Sequence, residues 1–277
     1  MPNDCGRVTA KQEVTPKSGY VRVAHNTSAT LNYDHEMEGT KALLDNRFAP
    51  VTFTWGFVEC PFAQFSRAFL GWQDQLEAKS STQSRRKSFR APLSESLLAL
   101  EPLTTPGDRY LLTETRSGWS AIFSNGLRAN DVHSPVSYLP TVLKCRGLNI
   151  SCVPDRSKTT DKEEVQIYGA VGFSLYGPNE TDWLNRIRSV SIANDVSGWQ
   201  FAADGAVQPY EQIENYGKRK IVERLTPAML ESYCSALGIE LFNSDFYGEQ
   251  SLSFHIKSKI PGGPSMSIAE ARSHVHI

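Results

Sequence analysis

Long hydrophobic runs are missing from this 277-residue chain. Its uninterrupted apolar stretches last only a few residues, far short of the ~20 needed by a membrane-spanning helix. The first twenty residues include Asp4, Arg7, Lys11, Glu13 and Lys17 and hold no apolar core of a secretion signal, so a cytoplasmic location is expected and no membrane contact. Neither sign of charge dominates: 29 Lys and Arg stand against 30 Asp and Glu. Nucleic-acid-binding domains carry a basic excess, and its absence argues against nucleic acid as the partner. The five cysteines (Cys5, Cys60, Cys145, Cys152, Cys234) are odd in number and form no C-x-x-C pair. That count and spacing argue against a disulfide framework and a zinc ribbon, and read as small buried hydrophobes.

Signatures of chemistry are also missing. The chain has no G-x-x-x-x-G-K-[ST] phosphate loop, no G-x-G-x-x-G dinucleotide turn and no G-x-S-x-G nucleophile elbow. Six histidines are scattered, and none falls in an H-E-x-x-H pair. No metal and no cofactor are therefore expected. Glu211, Glu214, Arg219, Glu223 and Arg224 read as solvent-facing charges with partners one helical turn away.

What the chain has in quantity is aromatic bulk: 5 Trp, 10 Tyr and 13 Phe within a 40% hydrophobic composition, enough for a sizeable core. Residues 1–46 are poor in large apolar side chains and read as a loosely ordered amino-terminal arm, with order beginning near Ala49. Alternating apolar residues over 51–57 predict a strand. Phe62, Phe65, Phe69, Trp72 and Leu76 recur at helical spacing after Pro61 and predict a helix with an aromatic inner face. A short helix over 94–100, capped by Ser94, should follow. Pro102, Pro106 and Gly107 mark a boundary, so 47–106 reads as a strand–helix subdomain and 107–277 as the main domain.

Beyond that boundary the pattern is sheet-like. A hairpin is expected over 109–115 and 119–124, then a helix from Ser134-Pro135 interrupted at Pro140, then strands over 148–153, 165–176, 186–193 and 199–203. Thr226 and Pro227 should start a helix that Gly238 stops, and Ser267 with Glu270 has capping-box spacing for a last one. A late strand at 252–256 lies between them. Strands and single helices with no βαβ repeat predict an α+β fold, mainly antiparallel sheet with helices packed on one side.

Two segments are candidates for binding. Residues 79–90 hold Lys79, Arg85, Arg86, Lys87 and Arg90 with no acid, a basic loop suited to phosphates or carboxylates if it is more than a solvated loop. Residues 125–133 link a strand to a helix and carry Arg128, Asp131 and His133, which have the chemistry of an anion binder, an orienting acid and a general base. The simpler reading of that loop is a turn whose Asn and Asp side chains satisfy the backbone.

Three stretches carry a resemblance. They are 117–126 (Ser117-Gly118-Trp119 to Asn125-Gly126), 188–195 with Trp199 and Phe201, and Leu225-Thr226-Pro227 through Leu237-Gly238-Ile239 with Asp245-Phe246-Tyr247. Over about residues 107–248 the chain resembles uncharacterised bacterial proteins encoded near toxin genes, where immunity proteins are common. The matching residues are packing and turn residues, so no catalytic or binding residue is carried over. The resemblance implies a cytoplasmic protein-binding module that neutralises a partner toxin by occluding its active site. The alternative is an enzyme of unrecognised class with its site near the 125–133 loop.

Overall fold

The computed structural model describes residues 41–80, 82–127, 132–159, 164–181, 184–195, 197–257 and 263–274. Ordered chain starts earlier than Ala49: Leu43 is fully buried, and Lys41 is ion-paired with Glu231 at 2.8 Å. The rest of the amino-terminal arm lies outside the described residues.

Strand β1 (Thr54–Val58) sends Trp55 and Phe57 to one face and Gly56 and Val58 to the other, as its alternation requires. Helix α1 (Phe62–Ser80) buries Phe65 and Phe69, two residues of the aromatic stripe, while Leu76 stays exposed. Residues 83–90 do not form a loop but strand β2 (Gln83–Arg90). Their polar composition hid this, because edge strands are where charged residues are tolerated. Next come α2 (Leu93–Ser96), which Ser94 does not cap, and β3 (Leu103–Thr104). The expected hairpin is β4 (Arg109–Thr115) and β5 (Ser120–Ser124), and the expected proline-containing helix is α3 (His133–Leu143).

After α3 the strands are β6 (Gly147–Val153), β7 (Arg156–Thr159), β8 (Glu164–Ile167), β9 (Ala170–Thr181), β10 (Leu184–Asp195) and β11 (Gly198–Gly205). Helix α4 (Pro227–Ala236) starts as its sequence demands, with Thr226 Oγ1 accepting from the Met229 N–H at 3.2 Å. Strand β12 (Tyr247–Lys257), the short β13 (Ser265–Met266) and α5 (Ile268–His274) complete the order. The capping box at α5 is formed: the Ser267 N–H donates to Glu270 Oε2 at 2.7 Å, and the Glu270 N–H donates back to Ser267 Oγ at 3.1 Å.

Nine strands form one antiparallel sheet in the order β11-β10-β9-β6-β1-β5-β4-β12-β2. The first strand among the described residues is thus the central one, and the sheet runs across the boundary expected near 106. The fold is α+β. Its two longest helices, α1 and α3, share one side, where Phe65, Phe69, Val136 and Leu139 meet Ile122, Leu252 and Phe254. The opposite side is also covered, by α2, α4 and α5 over Trp55, Phe123, Ile150, Phe173 and Val190. Helix α3 sits directly on the strand backbone. A Cβ on Gly56 would lie 2.3 Å from Val136 Cγ2, and one on Gly147 would lie 2.3 Å from the Val136 carbonyl oxygen.

Candidate functional site

Strand β2 ends the sheet and pairs with β12 alone. Its register divides the basic residues between the two faces. On the α1 side Arg86 stands opposite Phe254, with its guanidinium carbon 5.8 Å from the ring centroid, and pairs with Asp74 of α1. On the α4 side Arg85 stands opposite His255, which in turn stands opposite Arg109 of β4. Lys87 lies next along the same face, opposite Ser253. Among the described residues no carboxylate pairs with Arg85, Lys87 or Arg90, and all three are exposed.

The inner end of that basic row is held by a polar hub. Asn125 is fully buried; its Oδ1 accepts the N–H groups of Asp108 and Arg109, each at 2.8 Å. Its Nδ2 donates to the Pro102 carbonyl and to Asp108 Oδ1, also at 2.8 Å. Asp108 Oδ2 then lies 3.3 Å from His255 Nε2. Burial, followed by the Arg109 charge, holds the His255 pKa below its ordinary value, with Asp108 pulling the other way. At neutral pH the row therefore presents two guanidinium charges around an uncharged imidazole. Asn125→Ala should cost about 1–2 kcal/mol in urea unfolding, because it takes the partner from two part-buried backbone donors and a carbonyl.

The 125–133 loop is divided by the structure. Asn125 serves the hub, and Arg128 and Asp131 lie outside the described residues. His133 opens α3, where its Nδ1 is 3.0 Å from the hydroxyl of buried Tyr176 and its ring meets the Tyr176 ring edge-on. Burial first, then the Arg186 charge, pushes the His133 pKa down from 6.5. Because the unfolded chain then takes up the proton more readily, the contribution is complete above about pH 6.5 and declines as pH falls through the lowered value. The melting temperature should drop between pH 7.5 and 5.5, and His133→Gln should flatten that drop in part, His255 supplying the remainder. His133 and Arg85 do not meet: His133 packs on the α1 face of the sheet and Arg85 on the other.

Sequence reasoning missed His255, Asp108 and Arg109. The signal was present in the period-2 placement of Arg109 and His255 on strands, but the register that aligns them with Arg85 is set by pairing between distant segments. It also missed a buried ion pair, Arg188 with Glu211, whose side chains are 5% and 0% exposed. Glu211 is thus not a solvent-facing charge: Arg188 Nε and Nη2 donate to it at 2.9 and 2.7 Å, and the Tyr216 hydroxyl donates at 2.8 Å.

Among the described residues no helix is long and apolar enough to cross a membrane. Compared with protein-family models, curated proteins and solved structures, the chain matches none of them.

Proposed function

We propose that the chain is a protein-binding module and that it receives an acidic extended segment of its partner along β2. The observation that supports this is a terminal strand with Arg85, Lys87 and Arg90 exposed and without carboxylate partners among the described residues. A terminal strand offers open backbone donors and acceptors to an incoming strand. Its charge selects what can add. A second copy of the same edge would set like charges against each other, whereas an acidic strand would neutralise them. The resemblance over about residues 107–248 extends the reading to an immunity-type protein acting in the cytoplasm. Its partner would be a toxin whose active site is blocked by docking.

The test places a photo-crosslinking side chain at Ser88 of the full chain and exposes it to nuclease-treated lysate of the source cell containing the products of neighbouring genes. One protein crosslinked at 1:1 stoichiometry is expected. Its affinity should fall about 10- to 100-fold when Arg85→Glu and Lys87→Glu are combined, a change of about 1.4–2.8 kcal/mol. Binding unaffected by the charge reversal would remove β2 as the docking strand. A complex that nuclease treatment destroys would replace the protein partner with nucleic acid.

The enzyme alternative has one observation in its favour, the hydrogen bond between Tyr176 and the uncharged His133. The two readings separate on alanine variants. Under the binding reading, single replacement of Arg128, Asp131 or His133 by Ala leaves partner neutralisation intact. Loss of activity with the fold retained would move the function to that loop.

A further inference from the structure

Beyond the binding edge, the structure assigns Cys60 and Cys145 as a dithiol site for disulfide exchange. The two residues come together through the register of the central strands. Val58 of β1 pairs with Gly147 of β6, and the Glu59 N–H donates to the Arg146 carbonyl at 2.8 Å. Cys60 and Cys145 each lie one residue beyond that hydrogen bond, just past the ends of β1 and β6. Cys60 belongs to the buried cluster beneath α3 and Cys145 packs against that same cluster, and each thiol is the largest influence on the other's pKa.

The surroundings differ on the two sides and assign the roles. Cys60 is 5% exposed, and its carbonyl is held by the Ser120 hydroxyl at 2.8 Å. Cys145 is half-buried and reachable from solvent. Donation from the Cys60 thiol favours the Cys145 thiolate, against its burial and the Glu59 charge. That charge is met by Arg146, which donates to Glu59 through Nε and Nη2, both at 2.6 Å. Cys152 and Cys234 are buried in the cluster on the other face of the sheet, and burial pushes both thiols up, Cys152 to about 12. They remain protonated and inert.

The reaction partner is a low-molecular-weight disulfide. The Cys145 thiolate attacks one of its sulfurs; a Cys145 mixed disulfide forms and the other half leaves as a thiolate that takes up a proton. Cys60 then gives up its proton and attacks the Cys145 sulfur, breaking the mixed disulfide and releasing the second thiol. Two protein thiols are oxidised to one disulfide, and the reagent is reduced to two thiols.

The experiment uses the full chain with Cys5→Ser, so that residue plays no part. The folded protein is incubated with glutathione disulfide, quenched in acid, alkylated and mapped by peptide mass spectrometry. A Cys60–Cys145 linked peptide pair is expected, with little glutathione retained. Adding Cys60→Ser should leave about tenfold more glutathione trapped on Cys145, because the resolving sulfur is gone. Cys145→Ser should leave Cys60 unmodified in the folded chain, which keeps the test valid if Cys60→Ser fails to fold. Two outcomes overturn the assignment. One is a folded protein whose two thiols stay free although both react once unfolded in urea. The other is a stable mixed disulfide on Cys145 that Cys60 does not resolve.

Discussion

Replacing Glu211 with Ala is expected to lower the unfolding free energy by about 3–5 kcal/mol, the range for a buried charge stripped of its partner. Arg188 would then stay almost wholly out of water with only the Gly205 carbonyl, at 3.0 Å from Nη1, to accept from it. The loss extends further. Glu211 Oε1 also accepts the Gln208 N–H at 2.7 Å, and the Tyr216 hydroxyl would lose the carboxylate it donates to, keeping only the Tyr233 hydroxyl at 3.2 Å. Burial alone would work to lower the Arg188 pKa, but Glu211 more than offsets it and the guanidinium stays charged at every practical pH. The variant is thus forced to keep an unpaired charge. Combining Glu211→Leu with Arg188→Met should lose less than Glu211→Ala alone, since the pair is removed together. Urea unfolding of the four members of the cycle measures the coupling. A Glu211→Ala loss under about 1 kcal/mol would mean that water reaches the pair.

Trp55→Ala should cost a similar amount, about 3–5 kcal/mol, for a different reason. Trp55 is fully buried on the central strand, stacked on Phe123 at 6.4 Å and edge-on to Phe242 at 6.4 Å. Its indole Nε1 donates to the Tyr247 hydroxyl at 3.1 Å, and that hydroxyl donates on to the Leu241 carbonyl at 3.0 Å. The alanine leaves a cavity between β1 and the segment before β12, and it removes the donor to Tyr247. Against a total stability of about 5–15 kcal/mol this is a large fraction. Trp55→Phe should recover about half of the loss, because it refills most of the volume but not the hydrogen bond. Equilibrium unfolding followed by tryptophan fluorescence is unsuitable here, so circular dichroism is the measurement. Equal losses for Ala and Phe would assign the effect to the hydrogen bond and not to packing.

Elements governed by neighbouring residues were legible. Thr226 and Pro227 started α4, Ser267 and Glu270 started α5, and the 109–124 hairpin formed where its alternation placed it. Elements governed by distant partners were not. Gln83–Arg90 has the composition of a solvated loop and becomes a strand because β12 offers it an edge. Glu211 looks like a surface charge until Arg188 closes over it. Charge alone marks Arg85 and Arg86 as candidates, but local sequence does not show that the strand period sends them to opposite faces, Arg86 to Asp74 and Arg85 to His255. His133 stands out through the polar composition of the 125–133 loop, and it opens α3 one residue ahead of the start expected at Ser134. The Cys60–Cys145 pair escaped because cysteine spacing was read along the chain and not across the sheet.

The position of β2 in the sheet also sets when the protein becomes competent during its own synthesis. Lys87 and Ser253 bond across the β2–β12 ladder although 166 residues separate them. At ribosomal rates of about 5–20 residues per second, β2 waits about 10–30 s for the strand that orders it. Until then β4 is the open edge, and Phe69 lacks the ring of Phe254 that later lies 5.3 Å away. The basic edge is therefore a finishing step: under the proposed binding role an unfinished chain could not use it, and a chain truncated before Tyr247 would expose an aggregation-prone strand in its place.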